Sequence, residues 1–213
     1  MAREVDGSEA TPYPPGLKGD IAKLFSPEGT HEGKPDLRAA ARRILTRPGP
    51  LALALYRASN RLWVTGHPAL AEGIWRLNLF LTGADIHPAA EIGGGLRLTH
   101  TSGLVIGKGA RLGSDMNVLH GVTIGGSGKR WFDESFEDGL PEIGDRTEIW
   151  AGAKVLGAVK VGRGCHIGAN AVVTRDLPDG ASYTVGQPVR ELRRRVEELE
   201  AQVQELQKRL ESR

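Results

Sequence analysis

Residues 143–178 read IGDRTEIWAGAKVLGAVKVGRGCHIGANAVVTRDLP. Within them Ile143, Ile149, Val155, Val161, Ile167 and Val173 follow at intervals of six, with Gly or another small residue beside them. A helix of 3.6 residues per turn would scatter that series around its whole circumference, and a flat strand would repeat every second residue. A period of six implies a short strand plus a corner. Each hexapeptide forms one flat side of a prism, its aliphatic residue points inward, and small residues let the backbone turn. Three hexapeptides close one coil, so the stretch predicts a parallel β-helix and a mainly β fold.

Working upstream, the same period appears in two phased blocks, Ile86, Ile92, Leu98 and then Ile106, Leu112, Val118, Ile124. The step from Leu98 to Ile106 is eight, which pushes two extra residues into the corner Thr99-His100-Thr101-Ser102-Gly103. A longer break separates Ile124 from Ile143; it opens Gly125-Gly126-Ser127-Gly128-Lys129 and runs to Pro141. Interruptions of a repeat map to loops, and loops on a rigid scaffold are where sites are built. The repeat domain is therefore drawn over 84–190, with an extended loop over 126–142.

The flanks have other patterns. Residues 1–33 are rich in Gly, Pro and charge without a sustained period, and are assigned to a mobile arm. A helical region covers 34–83. Asp36 is its first N-cap, Leu37, Ala40, Ala41, Ile44 and Leu45 share a face, and Pro48-Gly49-Pro50 ends that helix. A second helix is expected from about Leu51 to Val64 and a third from Pro68 to Leu81, stopped by Gly83. The third is too apolar for a free surface helix and must pack on the first coil or on a neighbouring subunit. In the last segment, 191–213, Leu192, Val196, Leu199, Val203, Leu206 and Leu210 are spaced alternately by four and three, a short heptad seam. It predicts a C-terminal coiled coil, three-stranded if the prism is trimeric; the alternative is one amphipathic helix folded back along the prism.

Composition narrows the partners. Lys and Arg number 28 against 26 Asp and Glu, so no basic field points to nucleic acid. The one cysteine, Cys165, excludes an internal disulfide framework and suits a reducing compartment. Neither a signal-peptide pattern nor an apolar stretch of membrane-spanning length is present, so a soluble cytoplasmic protein is expected.

Asp85-Ile86-His87-Pro88-Ala89-Ala90, Thr99-His100-Thr101-Ser102-Gly103 and Gly121-Val122-Thr123-Ile124-Gly125-Gly126-Ser127-Gly128-Lys129 resemble, in order and spacing, the serine O-acetyltransferase family of hexapeptide-repeat enzymes. Tyr56-Arg57 and Leu62-Trp63 look like the helix that precedes its prism, and the likeness runs from about Asp36 through Val189. The resemblance implies a left-handed β-helix, a homotrimer or paired trimers, acetyl-CoA as co-substrate in clefts between subunits, and direct attack of a small hydroxyl substrate on the thioester. His100 is then the general base, since an imidazole titrates near the working pH, and Asp85 the group that orients it. By the same resemblance Gly125 and Gly126 offer a backbone amide to the oxyanion, and Ala151, Gly152 and Ala169 contact the pantetheine arm; simple corner packing is the other reading of those three. Lys129 then either meets CoA phosphate or is simply solvated. Thr99, His120 and Arg97 are candidates for the acceptor pocket. His87 is read as structural, and His166 and Cys165 as repeat surface.

The sequence departs from the family where the acceptor is held. The family's Asp-Arg-His-Pro run, whose Arg and His help hold the substrate, is replaced by Asp138-Gly139-Leu140-Pro141, and Thr99 stands where an Asp commonly precedes the catalytic His. Either another Arg such as Arg97 or Arg130 supplies the clamp, or the longer loop, with Trp131, Phe132 and Phe136 among Asp133, Glu134, Glu137 and Asp138, suits a cationic or amine-bearing acceptor, and the substrate is a different hydroxyl compound, a sugar or an antibiotic among them. No metal is expected, because His87, His100, His120 and His166 lack the spacing of the metal-dependent hydratases built on the same prism. A non-catalytic trimeric scaffold is the remaining alternative. The chain ends Glu211-Ser212-Arg213 rather than in the Ile through which the family docks its sulfhydrylase, so that contact is not expected.

Overall fold

The computed structural model describes residues 16–25, 37–127 and 139–211. Along the repeat, strands of two or three residues alternate with corners: β1 (Ala84–Ile86), β2 (Glu91–Ile92), β3 (Arg97–Thr99), β4 (Leu104–Ile106), β5 (Arg111–Leu112), β6 (Asn117–Leu119), β7 (Thr123–Gly125), β8 (Glu142–Ile143), β9 (Glu148–Ile149), β10 (Lys154–Leu156), β11 (Lys160–Val161), β12 (His166–Ile167), β13 (Val172–Val173) and β14 (Ser182–Tyr183). They stack as three parallel sheets in the orders β1-β4-β7-β10-β13, β11-β8-β5-β2 and β14-β12-β9-β6-β3. Every third strand is a neighbour, the topology of a triangular β-helix. Ile86, Ile106, Ile124, Val155 and Val173 stand in one column, and Leu98, Val118, Ile149, Ile167 and Tyr183 in another. Both interruptions are absorbed in corners without a slip of register.

Each hexapeptide has a second inward position, two residues before the first, because alternate residues of a strand share a face. Ala84, Ala90, Leu96, Leu104, Ala110, Met116, Val122, Ala153, Val159, Cys165 and Ala171 occupy it and are buried. This corrects the placement of Cys165 on the surface: it lies two residues before Ile167, is 1% exposed, and its thiol points at the Pro178 carbonyl, 3.2 Å away. Burial pushes that thiol above its ordinary value, which leaves it an inert core residue.

Among the described residues four helices precede the prism: α1 (Leu17–Phe25), α2 (Leu37–Thr46), α3 (Pro48–Val64) and α4 (Pro68–Thr82). Two differ from expectation. Leu17–Phe25, assigned from sequence to the mobile arm, form a helix, because the buried Asp20 and Lys23 pair with Arg57 and Asp115 far along the chain. Pro48-Gly49-Pro50 does end α2, but it also opens α3, since a proline in the first turn gives up only amides that a helix leaves unpaired. Asp36, the expected N-cap, lies outside the described residues. Gly83 closes α4 in the left-handed conformation at φ 70°.

α3 covers the open edge of the first coil. Tyr56 Oη donates to the Ala90 carbonyl at 2.7 Å, Asn60 Nδ2 to Pro88 at 2.8 Å, and Arg57 Nη1 to Ile92 at 2.6 Å. These bonds satisfy carbonyls that a terminal strand would leave unpaired. Burial holds the Tyr56 hydroxyl protonated, its pKa pushed up to about 12. Beyond the prism, α5 (Gln187–Glu211) carries the heptad seam, with Leu192 66%, Val196 52%, Leu199 45%, Val203 52% and Leu206 58% exposed. A helix folded back along its own prism would bury that seam, so the fold-back alternative does not hold.

Candidate active site

The chain turns from the third sheet to the first at one edge of the prism. Along it the backbone amide of Gly121 donates to Ser102, that of Gly152 to His120 and that of Asn170 to Ala151, stacking the corners coil on coil. His100, His120, Ala151 and Ala169 follow the ends of β3, β6, β9 and β12 on this edge. The structure therefore brings together four residues that the sequence names for different reasons.

Gly103, Gly121, Gly152 and Asn170 fill the repeating left-handed position, with φ of 69°, 66°, 72° and 56°. His100 is also left-handed, at φ 58°, but in the same corner as Gly103; it is the extra turn made by the two inserted residues. That conformation costs a residue with a Cβ about 1 kcal/mol, and such strain clusters where a side chain is being aimed. The corner is anchored from beneath, because the buried Thr101 hydroxyl donates to the Thr82 carbonyl and the Gly103 amide to the Gly83 carbonyl at 3.2 Å. The His100 ring itself is exposed and meets the His120 ring edge-on, centroids 5.9 Å apart.

Asp85 points outward from β1 and is half-buried. One carboxylate oxygen accepts the indole N–H of Trp75 at 2.8 Å, and among the described residues no hydrogen bond or ion pair joins Asp85 to His100. His87 is wedged between Trp63 and Trp75, with ring centroids at 5.5 and 5.0 Å, and its Nδ1 accepts the Ala89 amide at 3.0 Å. Burial first, then the charge of Lys108, hold it below the ordinary imidazole range, which fits a neutral, structural histidine.

The two glycines after Ile124 differ from Gly152. At Gly125 and Gly126 a Cβ would meet no described residue within 4 Å and neither has a positive φ, so neither packing among the described residues nor backbone conformation calls for glycine there. Gly152 is left-handed, and a Cβ on it would strike the Asn170 side chain, so corner conformation and packing both favour glycine there. Lys129 lies outside the described residues.

A cavity of about 260 Å³ lies between the helices and the first coil, with Leu17 and Ile21 of α1, Ile44 of α2 and Leu53 of α3 on its walls. Arg97, Thr99 and His100 line it from the prism and Arg47 from the helices. Sequence reasoning missed Arg47, the residue before the Pro-Gly-Pro run, and Trp75 of the apolar third helix; neither belongs to a motif. His166 does stand on the surface, where its Nδ1 lies 3.2 Å from Glu148 and its ring 5.5 Å from Trp150. Among the described residues no group of three His, Cys, Asp or Glu side chains is arranged to hold a metal, and no helix is long and apolar enough to cross a membrane.

Comparison with known proteins gives these residues a context. Residues 141–175 match the family described as bacterial transferase hexapeptide (six repeats). Serine acetyltransferase of Mycobacterium tuberculosis is 40% identical over 172 residues, covering 81% of this chain and 70% of that protein. Among solved structures, serine acetyltransferase of Neisseria gonorrhoeae in complex with serine superposes with a TM-score of 0.66 at 32% identity, over 78% of this chain and 64% of that one. The Brucella abortus enzyme in complex with coenzyme A gives 0.66 at 31% identity, over 79% and 63%. The chain thus spans less than two thirds of these two solved proteins.

Proposed function

The chain belongs to the serine acetyltransferase family, and from that premise we propose that it transfers the acetyl group of acetyl-CoA to the hydroxyl of L-serine, with His100 as general base. The observation that carries the proposal is the His100 corner: an exposed imidazole in a left-handed insertion, on the wall of a small cavity, with no packing task of its own. His100 takes the proton of the bound hydroxyl as its oxygen attacks the thioester carbonyl. The C–O bond forms, the carbonyl electrons move to oxygen, and their return breaks the C–S bond; the imidazolium then gives its proton to the departing thiolate. The amides at Gly125 and Gly126 receive the oxyanion, in keeping with glycines that no packing among the described residues demands. Asp85, steadied by Trp75, uses its second oxygen to orient the imidazole once substrate is bound. Ala151 and Ala169 leave the edge beyond the histidines low enough for the pantetheine arm.

The same proposal includes a homotrimer whose tails form a parallel coiled coil. The seam of α5 is half or more exposed at most positions on the single chain, as a helix awaiting copies of itself would be. With Val189, Val196 and Val203 at a and Leu192, Leu199 and Leu206 at d, a parallel alignment pairs Arg195 at g with Glu200 at e of the next helix. An antiparallel alignment centred on the seam opposes Glu200 to Glu200 and Arg195 to Arg209. Val at a with Leu at d alone leans toward two strands, so the third comes from the prism.

The test is thiol release from acetyl-CoA by the purified protein with L-serine. His100→Ala is expected to lower kcat by about 10²- to 10⁴-fold; undiminished turnover by that variant removes the mechanism, and wild-type inactivity removes the activity.

A further inference from the structure

The cavity beside His100 carries an inference about what the acceptor must bear. Of the charged side chains on its wall, Asp20 is consumed by Arg57, at 2.8 and 3.2 Å, and by the Leu96 amide at 3.0 Å. Lys23 is consumed by Asp115 at 2.6 Å and the Met116 carbonyl at 3.1 Å. Arg47 and Arg97 remain. Both are exposed, and neither makes a hydrogen bond or ion pair with the described residues, so among those residues the two guanidinium charges of the cavity have no counter-ion. Arg97 and Thr99 are alternate residues of β3 and therefore share its outer face, one residue short of His100. Arg47 faces them from the start of α3, where Pro48 and Pro50 have no amide N–H to offer, so the guanidinium is the strong donor on that side. The remaining wall is aliphatic.

We propose that Arg47 and Arg97 form an anion clamp that holds the carboxylate of a small hydroxy acid or hydroxy amino acid with its hydroxyl at His100. The proposal rests on acetyl transfer by His100 and deepens it, since it moves recognition of the acceptor from the loop after Gly126 to the helical side of the edge. An arginine fork recognises a carboxylate in two parallel bonds, and the cavity, smaller than the roughly 300–1,000 Å³ of drug-sized sites, suits an acceptor of a few carbons.

The experiment compares initial rates with acetyl-CoA for L-serine, L-homoserine and glycerate against ethanolamine and serinol, which keep the hydroxyl but lack the carboxylate. Wild type, Arg47→Ala, Arg97→Ala and the two Arg→Lys variants are used; all replace exposed side chains, and thermal unfolding checks that they remain folded. Expected is a preference of wild type for the carboxylates, a rise in KM for the preferred one of about ten- to hundredfold in each Ala variant, little change in kcat, and partial recovery with Lys. Wild type that uses ethanolamine as well as L-serine, or Ala variants whose KM stays within about twofold, overturns the clamp while leaving the transferase intact. If wild type acetylates nothing, the transferase proposal fails and the clamp is read by calorimetric titration of L-serine and ethanolamine. Binding of L-serine alone, lost in Arg97→Ala, supports it, and equal or absent binding of the two overturns it.

Discussion

Replacing Asp20 by Ala should release α1 from the body while leaving the prism folded. The carboxylate is 4% exposed and accepts three bonds, two from Arg57 and one from the Leu96 amide. Breaking a buried ion pair by removing one partner costs about 3–5 kcal/mol. Among the described side chains of α1, Leu17 is 38% exposed, Ile21 is half-buried, and Lys23 is held by Asp115 and the Met116 carbonyl. The loss is therefore capped by the docking energy of one nine-residue helix and appears as local opening. At about 1.4 kcal/mol per factor of ten, a 3 kcal/mol loss raises the opening constant roughly a hundredfold. Hydrogen exchange followed by mass spectrometry should show amides 19–25 exchanging about that much faster, with strands β4 to β12 unchanged. Because Leu17 and Ile21 wall the cavity, KM for the acceptor should rise in the same variant while kcat holds. Wild-type exchange rates over 19–25 would refute the reasoning, for they would mean that α1 is held by contacts other than this pair.

Three further outcomes are expected. Trp75→Phe removes the N–H that Asp85 accepts at 2.8 Å; kcat should fall several-fold and the acid limb of the kcat/KM profile should move, whereas a purely packing role for Trp75 would leave the profile in place. His87 is held below its ordinary pKa of 6.5, so its contribution to stability is present above that value and lost as pH falls, when the unfolded chain takes a proton that the folded chain refuses. The urea midpoint should therefore drop between pH 7 and 5 less steeply in His87→Gln than in wild type, and parallel curves would contradict the assignment. Leu199→Asp puts a charge at a d position of the proposed coil and should shift sedimentation toward smaller species; an unchanged sedimentation coefficient would show that the seam has no part in assembly.

How far the chain could be read beforehand depends on how local each pattern is. The hexapeptide period repeats along neighbouring residues, and the same sterics act at every coil, so the prism, its inward columns and both interruptions were legible. The second inward position was not, because Ala, Leu, Val, Met and Cys share it and leave no single-letter rhythm; Cys165 was misplaced for that reason. Lys129 and the loop around it lie outside the described residues, so the structure adds nothing to their reading.

The sequence by itself determined the β-helix, the corner in which His100 is inserted, the glycine pair after Ile124 and the heptad seam, all of them patterns carried by residues close along the chain. Only the tertiary structure decided that Asp20 clasps Arg57, that Trp75 holds Asp85, and that Arg47 and Arg97 face one cavity. Such pairings join separate elements, and which partners meet is set by how α1, α2 and α3 pack on the first coil. That packing follows from buried area and paired charge summed over the whole assembly, which no short stretch of residues encodes.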